Sequence, residues 1–128
     1  MATTAQYAAT PRTAVGSVST ANTARNGTGT IATIFTGGTN GSRIDDITVI
    51  ATGTVTAGVV RLFLNDGTTS YLLQEIMVTA TTPSTTVQTF TSQLLNQSII
   101  LASSSWSLRA STNNAETFNI LVTRAGDF

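Results

Sequence analysis

From Gly29 onward the chain is a succession of short β-type runs cut by turn residues. The spacing is that of a sandwich or barrel, and no helix-period stretch is strong enough to compete. Residues 30–35 make the first run, and Gly37, Gly38, Asn40 and Gly41 end it. Residues 43–51 follow, dominated by β-branched side chains, and a polar Gly-bearing connection leads to residues 59–64. The Asp66-Gly67 pair then supplies the positive φ that tight hairpin turns need, which joins 59–64 to a partner strand over 70–78. Helix is the rival reading for 70–78, because Leu, Gln, Glu and Met are good helix formers; the hairpin in front of it decides for strand. Thr82-Pro83-Ser84 breaks the chain. Residues 86–91, 98–101, 105–110 and 118–123 complete a set of about eight strands, with Leu94-Leu95 on a turn or helical loop.

The two-residue period assigns faces. Val60, Leu62 and Leu64 share one side of their strand, as do Leu72, Ile76 and Val78, and Phe118, Ile120 and Val122. Asp45 and Asp46, being adjacent, are expected on opposite faces. Eight strands without a strong helix predict an all-β antiparallel sandwich, jelly-roll-like, with an immunoglobulin-like sandwich as the competing arrangement. There is no fixed-period repeat and there are no heptads, which argues against a solenoid or a coiled coil.

Residues 1–28 differ in kind. They are Ala, Thr, Ser, Asn and Gly with few large apolar side chains beyond Tyr7, Val15 and Val18, too little to offset their own ordering entropy by burial. The expected organisation is therefore an extended N-terminal arm, 1–28, ahead of a sandwich domain, 29–128. If the arm becomes ordered across a neighbouring molecule, its candidate partner-binding residues are Tyr7, Pro11, Arg12 and Arg25.

The chain has no cysteine and no histidine. That removes disulfides, thiolate chemistry and most neutral-pH general-base and zinc-ligand chemistry. Six arginines balance six carboxylates with no run longer than Asp45-Asp46. Neither the basic stripe of a nucleic-acid binder nor the clustered carboxylates of a calcium cage is present. The first residues lack a basic segment followed by an apolar core, and no apolar run approaches membrane-spanning length, so synthesis in a cytoplasm and no membrane partner are expected. No catalytic, cofactor or metal residue is assigned. Asp66 is explained by its turn, and Glu75 and Glu116 by pairing with arginines. A glycosidase carboxylate pair, testable at Asp45, Asp46 or Glu116, is the remote alternative. Gly37-Gly38-Thr39-Asn40-Gly41 lacks the Lys-Ser/Thr ending of a phosphate loop and reads as a turn. Trp106 reads as a core or core-edge residue, with a carbohydrate platform or an interface anchor as the functional alternative.

Residues 56–67, with Val59-Val60-Arg61-Leu62-Phe63-Leu64-Asn65-Asp66-Gly67, and residues 108–119, with Leu108-Arg109-Ala110-Ser111-Thr112, resemble small structural proteins of tailed phages and prophages. The resemblance extends over residues 26–128 and rests on pattern rather than on a catalytic motif. It implies a capsid decoration or cement protein on the virion surface that binds the major capsid protein or other virion proteins. A homo-oligomer follows, a trimer favoured and a dimer the alternative, with no cofactor and no nucleic acid. A tail, neck or fibre-base component and a carbohydrate-binding module are the competing roles.

Overall fold

The structure, a computed structural model, describes residues 8–128. Among the described residues every regular element is a strand. They are β1 (Thr10–Val18), β2 (Ala32–Thr36), β3 (Ser42–Ala51), β4 (Gly58–Asn65), β5 (Ser70–Val78), β6 (Thr91–Leu94), β7 (Ile99–Leu101), β8 (Ser107–Thr112) and β9 (Phe118–Asp127). One sheet runs β1-β9-β3-β6, with β7 also paired to β3; the other runs β2-β8-β4-β5.

The pairing fixes the architecture. β6 pairs with β3 at Ile47 to Ile50 and β7 pairs with it at Ser42 to Ile44, along the edge that β9 does not use, so together they are one interrupted strand. With these two taken as one, strands pair outermost with outermost: β1 with β9, β2 with β8, β3 with β6 and β7, β4 with β5, all antiparallel. A long antiparallel hairpin rolled so that β9 also meets β3 and β8 also meets β4 is the jelly roll. The expected sandwich and jelly-roll order are therefore found.

Alternation puts the core where the sequence pattern places it. Ile44, Ile47 and Val49 from β3 meet Phe118, Ile120 and Val122 from β9, and across the sandwich stand Val60 and Leu62 from β4 and Leu108 and Ala110 from β8, all at most 1% exposed. Phe90 meets Phe118 edge-to-face with centroids 6.1 Å apart, a favoured aromatic geometry. The β4–β5 connection turns at Gly67, φ +103°, while Asp66 accepts the amides of Thr68 and Thr69.

Four expectations change. The run at 86–91 lies largely outside the sheet, because Ser84 turns the chain first: its amide donates to the Val87 carbonyl and its Oγ accepts the Thr86 and Val87 amides. Pairing begins around Phe90, whose carbonyl accepts the Ala51 amide, so the strand is Thr91–Leu94 and Leu94 belongs to it. In β3 a bulge at Asp45 and Asp46 breaks the alternation and turns both carboxylates toward Arg124, instead of to opposite faces. In β5 a bulge at Leu73 places Leu72 opposite Phe63, on the side away from Ile76 and Val78.

The described part of the segment 1–28 is extended and docked. Thr10–Val18 is β1, paired with β9 along its length. Its inward residues are mostly small, Ala14 and Gly16, and a Cβ on Gly16 would stand 2.6 Å from Ile34 Cδ1. The ladder with β9 and this close approach to β2 order the strand, rather than burial of large side chains. Composition alone could not register either term.

Candidate interaction surfaces

Most of the charged side chains gather in three clusters. At the first, Asp45 is fully buried and stands where β6 gives way to β7. Its carbonyl accepts the Gln97 amide, its Oδ1 accepts the Ser98 amide at 3.1 Å, and Arg43 lies 2.9 Å from Oδ2. Asp46 accepts the Asn96 amide at 3.0 Å, and Arg124 reaches both carboxylates. Asn96 and Ser98 carry positive φ, 55° and 51°, in the kink between the two strand halves. The carboxylates thus supply the acceptors that a broken ladder would otherwise leave missing.

At the second cluster, Arg61 is 2% exposed on the outer side of β4. It pairs with Glu75 at 2.9 Å, donates to the Asn22 carbonyl at 3.0 Å and reaches Asn113. Asn22 in turn donates to the carbonyls of Thr28 and Thr30 and accepts the Ala24 amide. The crossover from β1 to β2 is thereby tied across the outer face of the β2-β8-β4-β5 sheet, from Thr112, which accepts the Asn22 amide, to Ser70, against which Gly27 packs. Phe63, outward-facing on β4 yet fully buried, lies on this same face. Hydrogen bonding from Arg25 first, and from Arg61, holds the Glu75 carboxyl below its ordinary range.

The third cluster joins β1 to the end of β9. Arg12 pairs with Asp127 at 2.9 Å, stacks 3.9 Å above the Phe35 ring and donates to the Thr36 carbonyl. Glu116, expected to pair with an arginine, instead accepts the Thr56 amide and hydroxyl at 2.8 and 2.9 Å. Its position after β8 faces the β3–β4 connection, which offers hydroxyls and amides. No group of three or more carboxylates that could hold a metal occurs among the described residues.

The residues expected to contact a partner are thus differently placed. Tyr7 lies outside the described residues. Pro11 is exposed on β1, whereas Arg12 is turned inward and Arg25 bonds to Glu75 at 2.8 Å. Trp106 is half-buried against the core.

Sequence reasoning missed the most apolar open surface. β5 ends its sheet and exposes Tyr71 (56%), Leu72 (39%), Leu73 (40%) and Met77 (80%). The signal was present in Tyr71-Leu72-Leu73, a run apolar on both faces of a strand that has a neighbour on one side only. The outer face of the β1-β9-β3-β6 sheet is the second open surface. Its half around Val15, Ser17, Thr48, Ile50, Asn119 and Leu121 carries no charge, the ionisable groups being gathered at the Asp45 and Asp127 end.

Comparison with known proteins gives solved structures only; no protein-family model and no curated protein matches the chain. Among the structures is a pentameric capsid protein isolated from metagenomic phage sequences, with a TM-score of 0.41 and 16% identity. That comparison covers 86% of this chain and 60% of the other. A chain of the T13 particle of IBDV gives 0.36 and 12%, covering 94% of this chain and 33% of that one. Infectious bursal disease virus of the Gx strain gives 0.31 and 11%, covering 88% and 34%. The chain therefore spans less than two thirds of each.

Proposed function

We propose that this protein is a non-enzymatic structural component of a phage virion, a decoration or cement protein that seats on the outside of the capsid shell and stabilises it as a homo-oligomer. A fold alone hosts many functions, and the jelly roll serves capsid proteins and lectins alike. The reading is carried by how the surface is divided. The carboxylates Asp45, Asp46, Glu75, Glu116 and Asp127 are bound by arginines, amides or hydroxyls of the body, while the open surfaces carry little charge, largely apolar along β5 and mixed apolar and neutral polar on the outer face of the β1-β9-β3-β6 sheet. Such a molecule is built to make contacts. On a symmetric lattice, weak contacts of this kind multiply into tight binding.

In this reading the N-terminal segment lies toward the shell. Pro11 and Val15, on the exposed side of β1, and Tyr7 ahead of it touch the capsid protein, and Arg12 and Arg25 support them from within through Asp127 and Glu75. Units of three or two copies match the symmetry axes of such a lattice.

The experiment is to purify particles from the parent phage and locate the protein with a labelled antibody. Regular labelling of heads supports the decoration role, and labelling confined to tails moves the protein to the tail or neck. Absence from particles, with the protein binding a glycan array, replaces the reading with a carbohydrate-binding module.

A further inference from the structure

We infer that β5 is an assembly edge, and that its occupant is β5 of a second copy of this chain, paired antiparallel across a two-fold axis so that two four-stranded sheets become one. The argument begins with how the other edges are protected. On one side of the roll β1 and β2 close on each other: Arg12 caps the Thr36 carbonyl and covers Phe35, and Gly16 lets β1 lie against Ile34. On the other side the β3 sheet ends in an interrupted edge, four residues of β6 and three of β7 separated by the kink at Asn96 and Ser98. Short strands and kinks of this kind are the usual defences against edge pairing.

β5 carries fewer such defences, one bulge at Leu73 and one charge at Glu75. It is nine residues long and terminates its sheet, and unlike β1 it contains neither proline nor arginine. The bulge at Leu73 leaves residues 74–78 regular. No backbone hydrogen bond joins its outer side to another segment among the described residues. Four of its side chains, Tyr71, Leu72, Leu73 and Met77, are the large apolar groups most densely exposed on the molecule. An edge of that composition left in water invites another strand.

The choice of a second copy follows from length and charge. Among the described edges β1 is as long, but it carries Pro11 and Arg12 and lies against β2, so the open run left for pairing is β5, which is its own best match. A two-fold axis brings identical side chains together, which a charged strand would resist. The single charge on β5, Glu75, is already matched by Arg25 and Arg61, so nothing opposes the pairing. A two-fold contact of this kind favours the dimer over the trimer as the basic unit.

Light scattering on the size-exclusion peak of the full chain tests this directly. The expected mass is twice the 13.3 kDa of one chain, and the double variant Leu73→Lys with Met77→Lys should fall to one chain with an unchanged circular dichroism spectrum. A wild-type monomer at the highest soluble concentration, an assembly of three or five, or a double variant that stays dimeric overturns the inference. Should the double variant unfold, the absence of cysteine in the chain gives a second route. Single cysteines at Tyr71, Leu73 and Met77 should yield a disulfide-linked dimer under mild oxidation at one or more positions, with none from Val15→Cys or Ile100→Cys; the reverse pattern sinks it. The inference stands apart from the virion reading, since a dimer that is absent from particles keeps the one and removes the other.

Discussion

Replacing Asp45 with alanine should be among the most costly single changes to a polar residue of this protein. The side chain is fully buried, accepts the Ser98 amide at 3.1 Å and faces Arg43 at 2.9 Å, and its own backbone accepts the Gln97 amide. Truncation removes the acceptor of the Ser98 amide, which belongs to an exposed residue and can turn to water, so about 1 kcal/mol applies. It also removes the partner of Arg43. Loss of one member of a buried ion pair costs about 3–5 kcal/mol, but the Arg43 side chain is 38% exposed and can recover water, so only a fraction of that applies. Together these give about 2–4 kcal/mol. For a chain of this size, each kcal/mol lowers the melting temperature by about 4 °C, so a fall of about 8–16 °C is expected by circular dichroism, with the half-buried Trp106 as a fluorescent reporter. Asp46→Ala is the control: its side chain is 22% exposed, and about 1 kcal/mol is expected. Asp45→Asn, which keeps an acceptor for Ser98, should fall between the two. If Asp45→Ala melts within 2 °C of wild type, or if Asp46→Ala costs more, the carboxylate does not hold the broken ladder together and the reasoning fails.

Other expectations follow from the remaining clusters. Arg61→Met should destabilise by about 1–2 kcal/mol as the Asn22 carbonyl loses its buried donor, Glu75 keeping Arg25, and limited proteolysis should then cut within residues 19–31 before any other region; an unchanged cleavage pattern counts against the tie. Because the Glu75 carboxyl is held below its ordinary range by Arg25 and Arg61, its ionised form stabilises the fold above the unfolded-state value. That contribution disappears as pH falls through the folded value. Melting followed on acidification should show a drop that Glu75→Gln flattens, and parallel curves for the two proteins would refute the linkage. Gly126→Ala places a Cβ 2.5 Å from Ala8 Cβ and 3.0 Å from the Thr10 carbonyl oxygen, so it should cost about 1–3 kcal/mol and raise hydrogen exchange in β1 selectively. Uniform exchange across the sheet would contradict that localisation.

Much of the sandwich was legible because alternation and burial coincide in its central strands. β3, β4, β8 and β9 each have a neighbour on both sides and a core beneath them, so Ile47, Leu62, Leu108 and Ile120 are apolar for the reason the pattern assumes. What escaped is held by contacts distant in sequence. β1 is ordered by its ladder to β9 and has little apolar content of its own. The bulges at Asp45-Asp46 and Leu73 shift faces by one residue, which no period-two reading anticipates. The docking of the β1–β2 crossover depends on Arg61 reaching a backbone carbonyl 39 residues earlier. Of the residues expected to bind a partner, Arg12 and Arg25 look from composition like free cations, and only the fold reveals Asp127 and Glu75 beside them. The β5 edge could have been recognised once Tyr71-Leu72-Leu73 was set on a terminal strand, but strand order was the missing step.

The central claim, a jelly roll built into a virion, is tested most directly by a cryo-electron microscopy reconstruction of purified particles from the parent phage. The account predicts density for this nine-stranded body at symmetry-related positions on the outer shell, resting against the capsid protein. Complete particles without that density, with the protein left in the soluble fraction of the lysate, would contradict it.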